Sequence, residues 1–162
     1  MMRKCLPFLL AALLLSAASC RRGVFYEEIL PVKGEAWSLD DTLHFAFDID
    51  DTMQYYTIYM DIRNSIDYEM QNLYLFMDSE DPRGNVNRDT LEFLLADAHG
   101  NWVGKGNGRL KDYQYLFYPK VRFPYPGTYK FSFVQAMRTE KLEGIANFGL
   151  TLYYFDENRF HR

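Results

Sequence analysis

Cysteine is almost absent from this 162-residue chain: only Cys5 and Cys20 occur, and both lie within the first twenty residues. The rest of the sequence can form no disulfide of its own, so a fold of this size must be held by its core. Histidine is scarce as well, with His44, His99 and His161 the three present. A histidine-based triad or a zinc site needs two or more such positions to converge, and these are scattered over an alternating stretch, an expected turn and the penultimate position. There is no G-x-S-x-G elbow, and no enzymatic activity, cofactor or small-molecule substrate is expected. Net positive charge is missing too. The formal charge is −4, and loss of Arg3 and Lys4 with a leader would leave 16 Lys and Arg against 22 Asp and Glu, a balance of −6. That argues against nucleic acid, whose affinity comes from clustered cations on phosphates, and against electrostatic attraction to anionic lipid.

What is present begins at the N-terminus. Arg3 and Lys4 precede an apolar run from Leu6 to Leu15, followed by Ser16, Ala17, Ala18, Ser19 and then Cys20. A basic start, an apolar middle and small residues before a cut describe a secretory signal. The run is shorter than the roughly 20 apolar residues that span a bilayer. Cysteine at the cut site can be acylated, and two or three acyl chains hold a membrane where one would not. The stretch resembles a bacterial lipobox, with Ala17 where leucine is usual. We therefore expect a signal peptide over 1–19, lipidation at Cys20, a lipidated tether over 20–36 and one domain over 37–162.

Aromatics are abundant: 13 Tyr, 13 Phe and 2 Trp make 17% of the chain. They recur with period two. Leu43, Phe45, Phe47 and Ile49 form one such series, Tyr56, Ile58, Met60 and Ile62 another, and Phe148, Leu150, Leu152 and Tyr154 the last. Further series run through Leu73, Leu91, Tyr113 and Tyr129. Alternation of this kind marks strands with one buried face. The expected fold is an all-β antiparallel sandwich of about seven strands with at most one short helix, for which only residues 136–144 have the composition; a barrel is the alternative. Residues 78–89, with Pro82, Gly84, Asn85 and Asn87, read as a loop. Residues 98–101 read as a hairpin turn between Leu95 and Trp102.

Other clusters have ordinary readings. Asp48, Asp50 and Asp51, and the acids of 78–89, lack the spacing of a calcium loop and suit solvated turns. Gly104, Gly106 and Gly108 lack a phosphate-binding pattern and suit a bulge or a tight strand connection. Tyr55, Tyr59, Tyr74 and Phe76 fall on the minority face of their strands, so aromatic surface is expected on the outside, where a partner would cover it. Two segments are candidates for a partner surface, Trp102 to Gly106 and Gln135 to Arg138, each pairing a cation with an aromatic or Met. Trp102, Lys105, Gln135 and Arg138 are the residues concerned, since Trp and Arg often dominate interface energy. Equally, Trp102 could fill the core and Gln135 could tie down a strand end.

Several segments, in order, resemble the GldH family of gliding-motility lipoproteins. They are Arg63-Asn64 with Asp67-Tyr68, Asp89 to Glu92, Leu95 to Asp97, the run from Gly100 to Gly106, Gly127 to Tyr129, Gln135 to Arg138 and Gly144-Ile145. The resemblance implies an outer-membrane lipoprotein without enzymatic activity, required for gliding and type IX protein secretion and working alongside other gliding and secretion lipoproteins. It supplies no catalytic residues. Surface-displayed lipoproteins of that bacterial group resemble one another in acidic residues after the lipid cysteine. Arg21 and Arg22 stand there instead, so the anchor is expected to face the periplasm. A carbohydrate-binding lipoprotein would share the anchor, the sandwich and the aromatics, and is the alternative.

Overall fold

The alternating series fold as read, and the strands outnumber the expectation. A computed structural model describes residues 23–157 and contains ten strands. These are β1 (Val24–Pro31), β2 (Ala36–Ser38), β3 (Leu43–Ile49), β4 (Tyr56–Ser65), β5 (Asn72–Glu80), β6 (Val86–Leu94), β7 (Leu110–Val121), β8 (Gly127–Gln135), β9 (Lys141–Glu143) and β10 (Ile145–Tyr154). They make two four-stranded sheets, ordered β1-β10-β4-β7 and β3-β8-β5-β6, with β2 and β9 pairing as a small ribbon. Every pairing is antiparallel. Each large sheet keeps two open edges, so the architecture is a sandwich and not a closed barrel.

The core follows from the period-two series. Phe45, Phe47 and Ile49 of β3 and Leu73, Leu75 and Met77 of β5 point inward from one sheet, and Tyr56, Ile58, Met60 and Ile62 of β4 from the other. Phe148 of β10 is where the layers meet. Its ring centroid lies 4.8 Å from Phe133, 6.1 Å from Phe45 and 6.4 Å from Phe93, all in the opposite sheet. Trp37, fully buried, covers the same ring at 5.7 Å and donates from Nε1 to the carbonyl of Asp41 at 2.8 Å. The outer-face aromatics behave as their phase requires. Tyr55 and Phe76 are exposed, while Tyr59 and Tyr74 are half-buried.

Three expectations need correction. The segment expected as a tether to residue 36 is largely structure: β1 pairs with β10 along its length, and β2 pairs with β9. Charged Glu27 and Glu28, together with half-buried residues on both faces, hide the alternation of this edge strand. The helical composition of 136–144 yields no helix. Leu142 pairs with Trp37 in the ribbon, and Gly144 at φ +92° turns the chain directly into β10. The loop expected over 78–89 is only 81–85. The flanking residues are strand, and their polar side chains face solvent as cross-strand pairs such as Asp78 with Arg88, whose Nη2 and Oδ2 lie 2.6 Å apart. Between residues 23 and 156 the sole helical feature is a 3-10 turn at Lys33–Glu35.

Strands of alternating direction send successive connections to opposite ends of the sandwich. One end gathers the connections 50–55, 81–85 and 122–126, together with Gly23 and the end of β10. The other gathers 33–42, 66–71, 95–109 and 136–144. Trp102, Lys105, Gln135 and Arg138 all belong to that second end.

Candidate interaction surface

The second end is a set of loops tied to one another by backbone hydrogen bonds. The Leu95 and Ala96 amides donate to the carbonyl of Gln71 at 2.9 and 3.1 Å. Val103 donates back to Leu95 at 2.9 Å, and Ile66 donates to Arg109 at 2.8 Å. Ala136 donates to Tyr74 at 2.8 Å. The hairpin turn read at 98–101 is present, and the Asp97 carboxylate closes it. That carboxylate accepts the amides of His99 at 2.8 Å and Asn101 at 2.9 Å, and the Asn101 side chain at 3.0 Å. These bonds hold Asp97 below the usual carboxylate range, with the Asn101 side chain the largest cause.

The four candidate residues separate in this frame. Trp102 forms a β-bridge with Ala96 and is half-buried, with its ring packed against the edge of the core. The tryptophan that fills the core is Trp37. Lys105 is exposed, and its backbone is fixed by two hydrogen bonds of 2.8 Å exchanged with Asp112 of β7. Glycine makes that approach possible: a Cβ on Gly104 would lie 3.1 Å from the Asp112 carbonyl oxygen. The glycine-rich run is thus a tight connection to β7, and Lys111 Nζ donates to the Gly106 carbonyl at 2.6 Å. Arg138 is exposed. Gln135, by contrast, is buried and does not belong to a surface. Its Nε2 donates to the Thr139 carbonyl at 2.7 Å and its Oε1 accepts the Met137 amide at 2.8 Å, closing the 136–140 loop. Position Cys20 lies outside the described residues.

Sequence reading missed the exposed apolar neighbours of Trp102. Met70 joins Trp102 in lining one shallow groove, with Tyr68, Gln71, Ala96 and Gly100 beside them. Ile66 and Val103 are also exposed on these loops, Val103 lining a second groove with Ile29, Arg63 and Lys105. It also missed the clamp beneath the loops. Arg109 grips Glu35 with both terminal nitrogens, at 2.7 and 2.6 Å, and Asp67 lies 3.7 Å away. Glu35 has φ +56°, the one non-glycine residue with positive φ among those described. The Arg109 guanidinium pulls its carboxyl below the ordinary glutamate range. No local pattern could have signalled a pair 74 positions apart.

The remaining polar clusters have partners within the chain. Asp48 accepts from Thr128, Glu80 pairs with Lys130 at 2.9 Å, and Asp81 accepts from Arg83 and Asn85. His44 is hydrogen-bonded to Ser132 at 2.8 Å, and His161 lies outside the described residues.

Comparison with known proteins agrees with this geometry. The family model described as GldH lipoprotein matches residues 24–152, from the first residue of β1 nearly to the end of β10. The gliding motility lipoprotein GldH of Flavobacterium johnsoniae is 32% identical over 151 residues, covering 89% of this chain and 92% of that protein. A protein named as a homolog of gliding motility lipoprotein GldH, from Christiangramia forsetii, is 32% identical over 142 residues, covering 83% and 86%. Among solved structures, the infectious bursal disease virus VP2 subviral particle aligns over 80% of this chain and 30% of that one, at 11% identity and a TM-score of 0.36, too distant to carry an argument. A match that runs through both sheets and every loop of the candidate surface leaves one assignment: this chain belongs to the GldH lipoprotein family.

Proposed function

We propose that the protein is a non-enzymatic assembly or stabilising component of gliding-motility and type IX secretion machinery, anchored by lipid at Cys20 in the outer membrane and facing the periplasm. The names of the relatives, both given for gliding motility, support the process. The observation that carries a binding role is the loop end. Half-buried Trp102 lies in a groove with Met70, and exposed Lys105 stands three residues along the same loop. Aromatic and Met side chains are enriched at interface centres, and Lys105 adds a cation on the same loop, in the neighbouring groove that it lines with Val103 and Ile29. The backbone bonds that tie these loops together fix the surface in advance, which lowers the ordering cost of binding.

Co-purification from detergent-solubilised membranes tests this reading. Lys105→Glu and Arg138→Glu sit on exposed side chains, so both variants should fold and reach the membrane while retaining fewer secretion-system proteins. If both retain the same proteins as the parent, the partner surface lies elsewhere. Retention on a glycan matrix, with no protein companions, would favour carbohydrate binding instead.

A further inference from the structure

The strand that follows the anchor site begins almost at once. Gly23 is already part of the fold, because its carbonyl accepts the Tyr154 amide at 2.8 Å and β1 starts at Val24. Cys20 is three residues upstream, and three extended residues reach at most about 10 Å. A lipid on Cys20 therefore holds the β1 start, and the end of the sandwich around it, within about 10 Å of the bilayer. That end is the one opposite Trp102.

Its side chains suit such a position. From Gly23 the contacts run outward without a break. The Phe155 amide donates to the Tyr55 carbonyl at 2.9 Å, and the Phe25 ring sits 4.7 Å from Tyr56 and 5.4 Å from Tyr154. Lys120 Nζ lies 4.8 Å from the Tyr55 ring and 4.4 Å from Phe155, and Arg122 lies 5.7 Å from Tyr55. Met53, in the 50–55 connection, is 70% exposed with its Sδ 3.9 Å from Arg122, and Tyr55, Tyr118 and Tyr154 are exposed on the connection and strand ends of the same end. Exposed tyrosine, whose ring is apolar and whose hydroxyl is polar, next to Lys and Arg on long apolar stems, is the composition of a membrane-water interface. The same end also carries Asp50, Asp51, Asp156 and Glu157. Net charge gives it no pull toward anionic lipid, so the contact must rest on the aromatic rings and Met53.

We propose that the face formed by Met53, Tyr55, Tyr118 and Tyr154 rests in the headgroup region of the bilayer that holds the lipid anchor, so that the sandwich stands upright on the membrane. The ten residues of β4 then carry the loops that hold Trp102 and Arg138 about 30 Å away from the surface, with Lys105 level with Arg63 slightly nearer. This rests on lipidation at Cys20, which is measured separately by mass spectrometry of the mature N-terminus.

Both natural tryptophans, Trp37 and Trp102, belong to the far end, which makes the protein its own control. The mature, lipidated full chain is reconstituted in vesicles of uncharged phosphatidylcholine with or without brominated acyl chains, a short-range quencher of tryptophan. The parent should keep its emission. Met53→Trp and Tyr55→Trp should each lose emission when bromine is present, and lose none in detergent without it. Two positions are used so that a variant that fails to fold leaves the other to decide. If lipidation is confirmed and neither new tryptophan is quenched, the upright contact is wrong. Quenching of the parent's own tryptophan emission would overturn it too, because the sandwich would then lie flat or inverted. An unmodified N-terminus would remove the anchor itself, a separate failure that mass spectrometry identifies.

Discussion

Phe148→Ala would remove the ring on which both sheets close. Phe148 is fully buried and meets four aromatic rings at centroid distances from 4.8 to 6.4 Å, three from the opposite sheet and one from Trp37. Truncating a buried Phe to Ala costs about 3–5 kcal/mol, the lost transfer energy plus the cavity left behind. Here the surrounding rings are held by paired strands and cannot collapse into the space. Each tilted or edge-on ring pair adds about 0.5–1.5 kcal/mol beyond area. We therefore expect the upper part of the range, about 4–5 kcal/mol. A domain of this size has only about 5–15 kcal/mol in total, so the variant should fold marginally, with its melting temperature lower by about 15 °C. Urea titration followed by far-ultraviolet circular dichroism measures it, with an unchanged m-value as the check that only stability moved. Phe148→Leu keeps most of the volume and should cost less than half as much. A loss under about 1.5 kcal/mol for the alanine variant, the range of a volume-conserving swap, would refute the view that Phe148 joins the layers.

Two further outcomes follow from backbone and charge. Gly144 has φ +92°, and an added Cβ would lie 2.8 Å from the Tyr68 Cα, so Gly144→Ala should cost about 2–3 kcal/mol. Gly84→Ala, also at positive φ but facing open space, should cost only about 1–2 kcal/mol by the same urea titration. Asp78, Asp97 and Glu35 are all held below their ordinary ranges, by Arg88, Asn101 and Arg109 respectively. A lowered folded-state pKa contributes stability that is complete above the unfolded value of about 4 and is lost as pH falls through the folded one. Thermal stability should therefore hold from pH 7 to about pH 5 and fall below about pH 4, and Asp97→Asn should weaken that fall. Stability that rises on acidification would contradict these assignments.

The parts of the fold legible in the sequence are those where apolar side chains alternate with small or polar ones. In β3, Phe45, Phe47 and Ile49 alternate with exposed His44, Ala46 and Asp48, whereas in β10 Phe148, Leu150 and Leu152 alternate with Gly149 and Thr151, which are themselves buried, so there the period is one of composition and not of exposure. β6 was half hidden for the opposite reason. Its first residues, Val86 to Arg88, are exposed on both faces, so no period survives and the strand reads as loop. Residues 136–144 misled through composition. Met137, Glu140 and Leu142 favour helix weakly, yet propensity of that size yields to the pairing of Leu142 with Trp37.

The proposed interaction surface was legible in its residues and illegible in its place. Trp102, Lys105 and Arg138 could be named from side-chain chemistry alone, whereas the inward turn of Gln135 depends on the Thr139 carbonyl and Met137 amide that it meets. Where the surface stands relative to the anchor depends on one edge strand. In an antiparallel sandwich each strand of the two large sheets reverses the chain, so the end on which a loop falls is decided by how many such strands precede it, and β1, β3, β4, β5 and β6 precede 95–109. Reading residues 20–36 as a tether omitted β1 and left the lipid site free to sit anywhere around the domain. With β1 paired to β10, the chain enters beside Tyr154, crosses the sheet once, and the connection 95–109 falls at the opposite end. The charged, half-buried edge strand that period-two reading finds hardest to see is therefore the element that separates the proposed anchor site from the proposed partner surface.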